Sequence, residues 1–194
     1  MSPRRGAVLH GTGIAYDSIM RKRNTKAMRK QKITRGNASQ FFVAGELCRR
    51  GYSAVVTLGN TPNTDILCSD LDGTRFVHIQ VKTFVPGNRT CSVGTKAEKR
   101  YGGNFFWVLG GIPEPGCTSQ FEYYVIPSAT MARHVGQAHR KWLRTPGKKG
   151  QPHRECAMRT VLLPPFKKPE EWNIARYRNA WDRIERKLGP RPHR

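Results

Sequence analysis

The chain has 194 residues, with 35 Lys and Arg against 13 Asp and Glu and a formal net charge of +22. That length suits one domain with terminal extensions and a core that needs no staples, and a charge excess of this size repels itself unless it faces a polyanion, with nucleic acid the first expectation and an anionic membrane the rival. No stretch approaches the roughly 18 apolar residues that span a bilayer, the basic material has no interfacial apolar face, and MSPRRGAVLHGTG has no signal-peptide core.

The five cysteines (Cys48, Cys68, Cys91, Cys117, Cys156) are odd in number and form no CxxC. Disulfide framework and zinc knuckle are both poorly supported, so reduced thiols and a cytoplasmic setting are expected.

In chain order, Met1 to about Gly36 is basic and poor in large apolar residues, and RKRNTKAMRKQKITR (21–35) contains no acid. It reads as a solvated tail or as an arm on phosphates through Arg21, Lys22, Arg23, Lys26, Arg29, Lys30, Lys32 and Arg35. Asn37 and Gln40 suggest a capping box that opens a helix, Gly51 its stop, and Phe41, Val43, Ala44, Leu47 and Cys48 its apolar stripe, with Glu46 at the border. YSAVVTLGN follows as a strand, then DILCSDLDGTRFVHIQVKT as a hairpin. A Gly-rich, charged loop spans 86–103, where Cys91, Ser92 and Lys96 are candidates to line a groove. NFFWVLGGI and FEYYVIP read as buried strands, and 128–143 as a helix with a Ser128 cap. A basic loop carrying Lys148 and Lys149, two further phosphate candidates, precedes a short strand at RTVLLP. PEEWNIARYRNAWDRIERKLG reads as a closing helix with Trp172, Ile174, Tyr177, Trp181, Ile184 and Leu188 inward. Elsewhere, His134 and His139 are five apart, one too many for two ligands on one helix face.

The hairpin permits a register. If Asp72-Gly73 forms a symmetric turn, Cys68 faces Val77, Ile66 faces Ile79 and Asp65 faces Gln80. Gln80 and Lys82 then share one strand face, and Val77, Ile79 and Val81 the other. Asp65 and Gln80 would have Cβ atoms about 4.5–5.5 Å apart, with Lys82 a diagonal neighbour. A carboxylate and an amide oxygen so placed can hold one hard cation such as Mg²⁺, with Lys82 beside it to assist an attacking water. The same residues also read as strand-start, face and strand-end decoration, and Glu46 as a surface partner of Arg50. Spacing alone leaves both readings open.

Glu46 in GELCRRGY, Asp65 in NTDIL and Gln80/Lys82 in HIQVKT resemble the PD-(D/E)XK nuclease superfamily, the restriction-endonuclease-like fold. The resemblance covers about 37–127. It implies a mixed α/β fold with an αβββαβ core and a mixed central sheet flanked by helices; outside that shared core, composition and element order give a basic arm (1–36) and a C-terminal helical extension expected to pack on the core (128–194). It implies Asp65, Gln80 and Glu46 as ligands of Mg²⁺ (or Mn²⁺) and Lys82 as the catalytic lysine. Two departures stand: Thr64 replaces the Pro of the motif, and Gln80 stands where most members have an acid. The expected activity is endonucleolytic hydrolysis of phosphodiesters, in DNA before RNA, in a restriction, defence or repair setting. A non-catalytic binding module on the same fold, an RNA-processing nuclease and a homodimeric state are the open alternatives.

Overall fold

A computed structural model describes residues 12–58, 61–167 and 172–189, with side chains from 28 onward except Arg29. The chain divides into two compact units, Met1–Arg35 and Gly36–Arg194. Its elements are α1 (Thr12–Arg49), β1 (Ser53–Val56), β2 (Ile66–Ser69), β3 (Phe76–Phe84), β4 (Thr90–Ser92), β5 (Phe105–Gly111), β6 (Glu122–Pro127), α2 (Ser128–Arg144), β7 (Thr160–Leu162) and α3 (Asp182–Leu188). Single 3-10 turns lie at Thr95–Glu98 and Ala175–Tyr177.

The first helix corrects the capping-box reading, because α1 runs through Asn37 without a break. Residues 21–35 are rich in Lys, Arg, Met, Ala and Gln, which propagate a helix well. Gly36 costs it about 1 kcal/mol relative to Ala, too little to stop it without a proline.

Five strands form one mixed sheet in the order β1-β2-β3-β5-β6. All neighbours are antiparallel except β3 and β5, which run parallel. Every residue of β5 is buried, as expected for an apolar strand covered on both faces. Alternation along β3 divides the core. Val77, Ile79 and Val81 pack with Val43, Ala44 and Leu47 of α1 and with Trp181, Ile184 and Leu188 at the α3 end. On the other face Phe84, Trp107, Leu109 and Tyr124 pack with Met131 and Val135 of α2. The helices thus flank a mixed sheet, as the sequence predicts.

Four local expectations are revised. The 86–103 loop contains β4, which pairs antiparallel with β7, the short strand expected at RTVLLP, in a second, two-stranded sheet. This connection from β3 to β5 carries β4 and a 3-10 turn, and α2 follows β6 instead of lying between the parallel strands. Ser128 does not cap α2 through its side chain; its hydroxyl accepts the Tyr101 N–H at 2.8 Å.

The fourth revision concerns the closing helix, of which only Asp182–Leu188 is α-helical. Arg178 bridges Tyr124 on edge strand β6, and the Asn179 N–H donates to the Tyr123 carbonyl at 2.7 Å. Asn179 has φ +49°, a conformation asparagine tolerates better than most residues. The segment therefore passes over the sheet edge: Ile174 and Tyr177 belong to the α2-side core, Trp181, Ile184 and Leu188 to the α1-side core.

Candidate active site

The β2–β3 turn sets the site. The Gly73 N–H donates to the Asp70 carbonyl at 3.2 Å, and Gly73 has φ +65°, where a side chain is strained. The Asp70 carboxylate accepts the Thr74 N–H at 2.7 Å, the Arg75 N–H at 3.1 Å and the Thr74 hydroxyl at 2.7 Å. The loop is thus longer than a two-residue turn, yet symmetric. Ile66 pairs with Ile79 and Cys68 with Val77.

The ladder ends at Ile66, and just before it the Asp65 N–H donates to the carbonyl of Ile79, the residue Ile66 already faces, at 2.9 Å. Its side chain meets Gln80: Nε2 of Gln80 donates to Asp65 Oδ2. The Val81 N–H donates to the same oxygen at 2.7 Å. Both bonds arrive at Oδ2, so Oδ1 is the oxygen available to a further ligand. Burial, the largest influence, raises the Asp65 carboxyl above the usual carboxylate range. The Val81 amide, the Lys82 charge, the Gln80 amide and the Lys96 charge oppose it. Gln80 is buried, and Lys82 lies two residues on along the same face of β3. His78, next on that face, meets the Thr64 hydroxyl through Nδ1 at 3.3 Å.

Glu46 stands apart. Its carboxylate accepts Arg49 Nε at 2.8 Å and Arg50 Nε at 2.8 Å, while Arg50 also reaches Glu185 at 2.9 Å. The Arg49 hydrogen bond, followed by burial acting the other way and then by Arg50, leaves its carboxyl below the usual range. Its neighbours on α1 pack on the Val77–Ile79–Val81 face of the sheet, and Gln80 and Lys82 occupy the opposite face. No described contact joins Glu46 to Asp65.

The structure therefore brings Asp65, Gln80 and Lys82 together and does not bring Glu46 to them. It adds Lys96, on the 3-10 turn Thr95–Glu98, whose charge acts on Asp65; sequence spacing placed Lys96 only in a groove-lining loop. Cys91 is buried in the core. Lys30, Lys32, Lys96, Lys148 and Lys149 are exposed and Arg35 is half-buried. Arg21, Lys22, Arg23, Lys26 and Arg29 lie outside the described side chains.

A metal must fit these donors. Among the described residues no group of three or more His, Cys, Asp or Glu could hold an ion. One carboxylate with an amide oxygen suits Mg²⁺ or Mn²⁺, ions that retain several waters and take the remaining charge from a phosphate. For Gln80 to offer oxygen instead of Nε2, its amide must turn over. The pair fits such an ion, with Asp65 as the only acid.

No protein-family model and no curated protein matches the chain. The fold is a mixed α/β domain with a mixed five-stranded sheet flanked by helices. Among solved structures, the bacterial homing endonuclease I-Ssp6803I is similar, with TM-score 0.50 and 18% identity over 79% of this chain and 93% of that one. No helix among the described residues is long and apolar enough to cross a membrane.

Proposed function

We propose that the chain is a metal-dependent endonuclease of the PD-(D/E)XK type that hydrolyses phosphodiester bonds in DNA. The observation that carries this reading is the junction of Asp65 and Gln80 across β2 and β3, with Lys82 on the same strand face, within a fold shared with a homing endonuclease. Asp65 and Gln80 would hold Mg²⁺ or Mn²⁺, which when bound supplies Lewis-acid polarisation of the phosphate and a more acidic water.

The chain's own groups do the rest. The Val81 N–H holds the Asp65 carboxylate in place, so that its other oxygen would meet the ion with the carboxylate already oriented. Lys82 orients the attacking water and stabilises charge gathering on the phosphorus oxygens. Lys96, Lys148 and Lys149 hold the backbone through phosphates, which makes binding strongly salt-dependent. Glu46, neutralised by Arg49 and Arg50, positions the end of α1. A reduced cytoplasmic setting and a homodimer that meets both strands of a duplex complete the proposal.

One observation favours a non-catalytic module: Gln80 supplies an amide where a second carboxylate would hold the ion more tightly. Cleavage of plasmid DNA and of RNA by wild type, Asp65→Ala and Lys82→Ala, with and without Mg²⁺, tests the proposal. We expect metal-dependent cutting of DNA by wild type only. Intact DNA binding without cutting in any divalent ion would establish the binding module, and undiminished cutting by both variants would move the site elsewhere.

A further inference from the structure

The second half of α2 and the start of β7 border a half-open cavity of ≈ 250 Å³, lined by Ala138, His139, Trp142, Met158, Arg159 and Thr160 among others. Its walls are mainly apolar and aromatic. Trp142 is 39% exposed, and its ring neighbours are His153, at 4.0 Å and 7°, and His139, at 5.5 Å and 26°. The Arg159 guanidinium fixes one end of the cavity, held by Glu98 at 2.6 Å, Glu155 at 3.0 Å and the Met158 carbonyl at 3.0 Å. Thr160 adds a hydroxyl to the rim.

The surroundings are cationic. Residues 133–159 include eight Lys and Arg against one acid, Glu155, and of these cations only Arg159 is buried. A basic surface interleaved with aromatic rings is the chemistry of a strand-binding platform, with cations on the phosphates and rings on the bases. A volume of ≈ 250 Å³ is large enough for one nucleobase. A paired base within a duplex presents only its edge, so a base that enters must have left the stack.

We infer that this cavity receives an unpaired nucleobase of the nucleic acid held by the surrounding cations. The inference takes its partner class from the proposed function and adds the substrate form: a strand with an extruded or unpaired base. Trp142 and His139 contact the ring, Met158 packs on it, and Thr160 meets its polar edge. The path to the active site is short in bonds. Glu98, paired to Arg159, lies on the same 3-10 turn as Lys96, whose charge reaches Asp65. The cavity-bearing helix also covers the sheet face that carries Gln80 and Lys82.

The test measures affinity, in Asp65→Asn protein without divalent ion, for a short duplex with one bulged nucleotide and for the same duplex fully paired. Cleavage plays no part in this readout. The bulged duplex should bind at least about fivefold tighter, a margin set by one base–aromatic contact. Ala138→Leu, which fills the cavity from a solvent-facing helix position, should bring the ratio to about one, and Trp142→Ala should do the same. Equal affinities for the two duplexes in the parent protein, no binding to either, or a preference that survives both substitutions would overturn the inference. A preference for the bulge in a protein that never cuts would leave the cavity assigned and remove the nuclease reading; cutting without the preference would do the reverse.

Discussion

Two carboxylates border the central sheet, and their surroundings differ in kind. Glu46, above the α1–α3 face, is met by two guanidinium groups that favour its charge, with the Arg49 hydrogen bond the largest influence. Asp65, just before β2, has burial as its largest influence, opposed by hydrogen bonds and by the Lys82 and Lys96 charges and by no guanidinium. The sheet itself makes the difference. Odd-numbered residues of β3 enter the α1-side core, and even-numbered ones turn Gln80 and Lys82 toward Asp65. A carboxylate already paired with arginine has little to offer a cation. One kept half-buried, oriented by an amide and a backbone N–H, is suited to bind one.

The largest effect expected from breaking this contrast is on chemistry. Asp65→Asn keeps an acceptor for the Val81 N–H but removes the charge, and Lys82→Ala removes the cation beside the phosphate. Each should lower the metal-dependent cleavage rate by about 10²–10⁴-fold, the range for removing a positioned catalytic group. Gel quantitation of nicked and linear plasmid measures it.

A smaller chemical effect sharpens the role of the amide. Gln80→Glu adds a second carboxylate beside Asp65, so half-maximal cleavage should require less Mg²⁺. The same variant without metal should be less stable, because two carboxylates then share one half-buried site. A Mg²⁺ titration and a thermal melt read the two arms.

On the opposite face the expected effects are structural. Gly110 of β5 lies beneath the buried Ser39 of α1, and a Cβ at 110 would collide with the Ser39 hydroxyl. Gly110→Ala should destabilise by about 1–3 kcal/mol, the usual cost of overpacking, as read by denaturant melting. Cleavage below the melting range should persist.

The smallest effect concerns stability against pH. The folded-state pKa of Asp65 is raised, so the stability its protonated form contributes is present below the unfolded carboxyl range. That stability is lost as pH rises through the folded value. Asp65→Asn cannot ionise, so its melting temperature relative to wild type, without metal, should rise from acid pH toward neutral pH. Glu46→Gln should show the opposite trend, because a lowered pKa contributes stability that is present above the unfolded value and lost on acidification.

How much of this could be read from the residues differs between the same two regions. The β2–β3 register was legible because Asp70 and Gly73 close a symmetric loop, and period-two alternation then assigns every face. Sequence could not show where Glu46 points. A helix carboxylate at the margin of an apolar stripe looks alike whether it turns to the sheet edge or to Arg49 and Arg50. The start of α1 was misread because Asn37 and Gln40 imitate a cap inside a helix that 21–35 can propagate unaided. The closing segment was misread because its apolar spacing fits one helix, whereas Ile174 and Ile184 belong to cores on opposite sides of the sheet. β4 was missed because three residues carry no periodicity, and its partner β7 lies about seventy positions away.

The most direct measurement sets the two carboxylates side by side: Mg²⁺-dependent plasmid cleavage by Asp65→Asn and Glu46→Gln under identical conditions, with DNA binding checked for both. The account predicts that Asp65→Asn binds DNA and does not cut, while Glu46→Gln cuts within a few-fold of wild type. Loss of cleavage in Glu46→Gln, or full cleavage in Asp65→Asn, would contradict it.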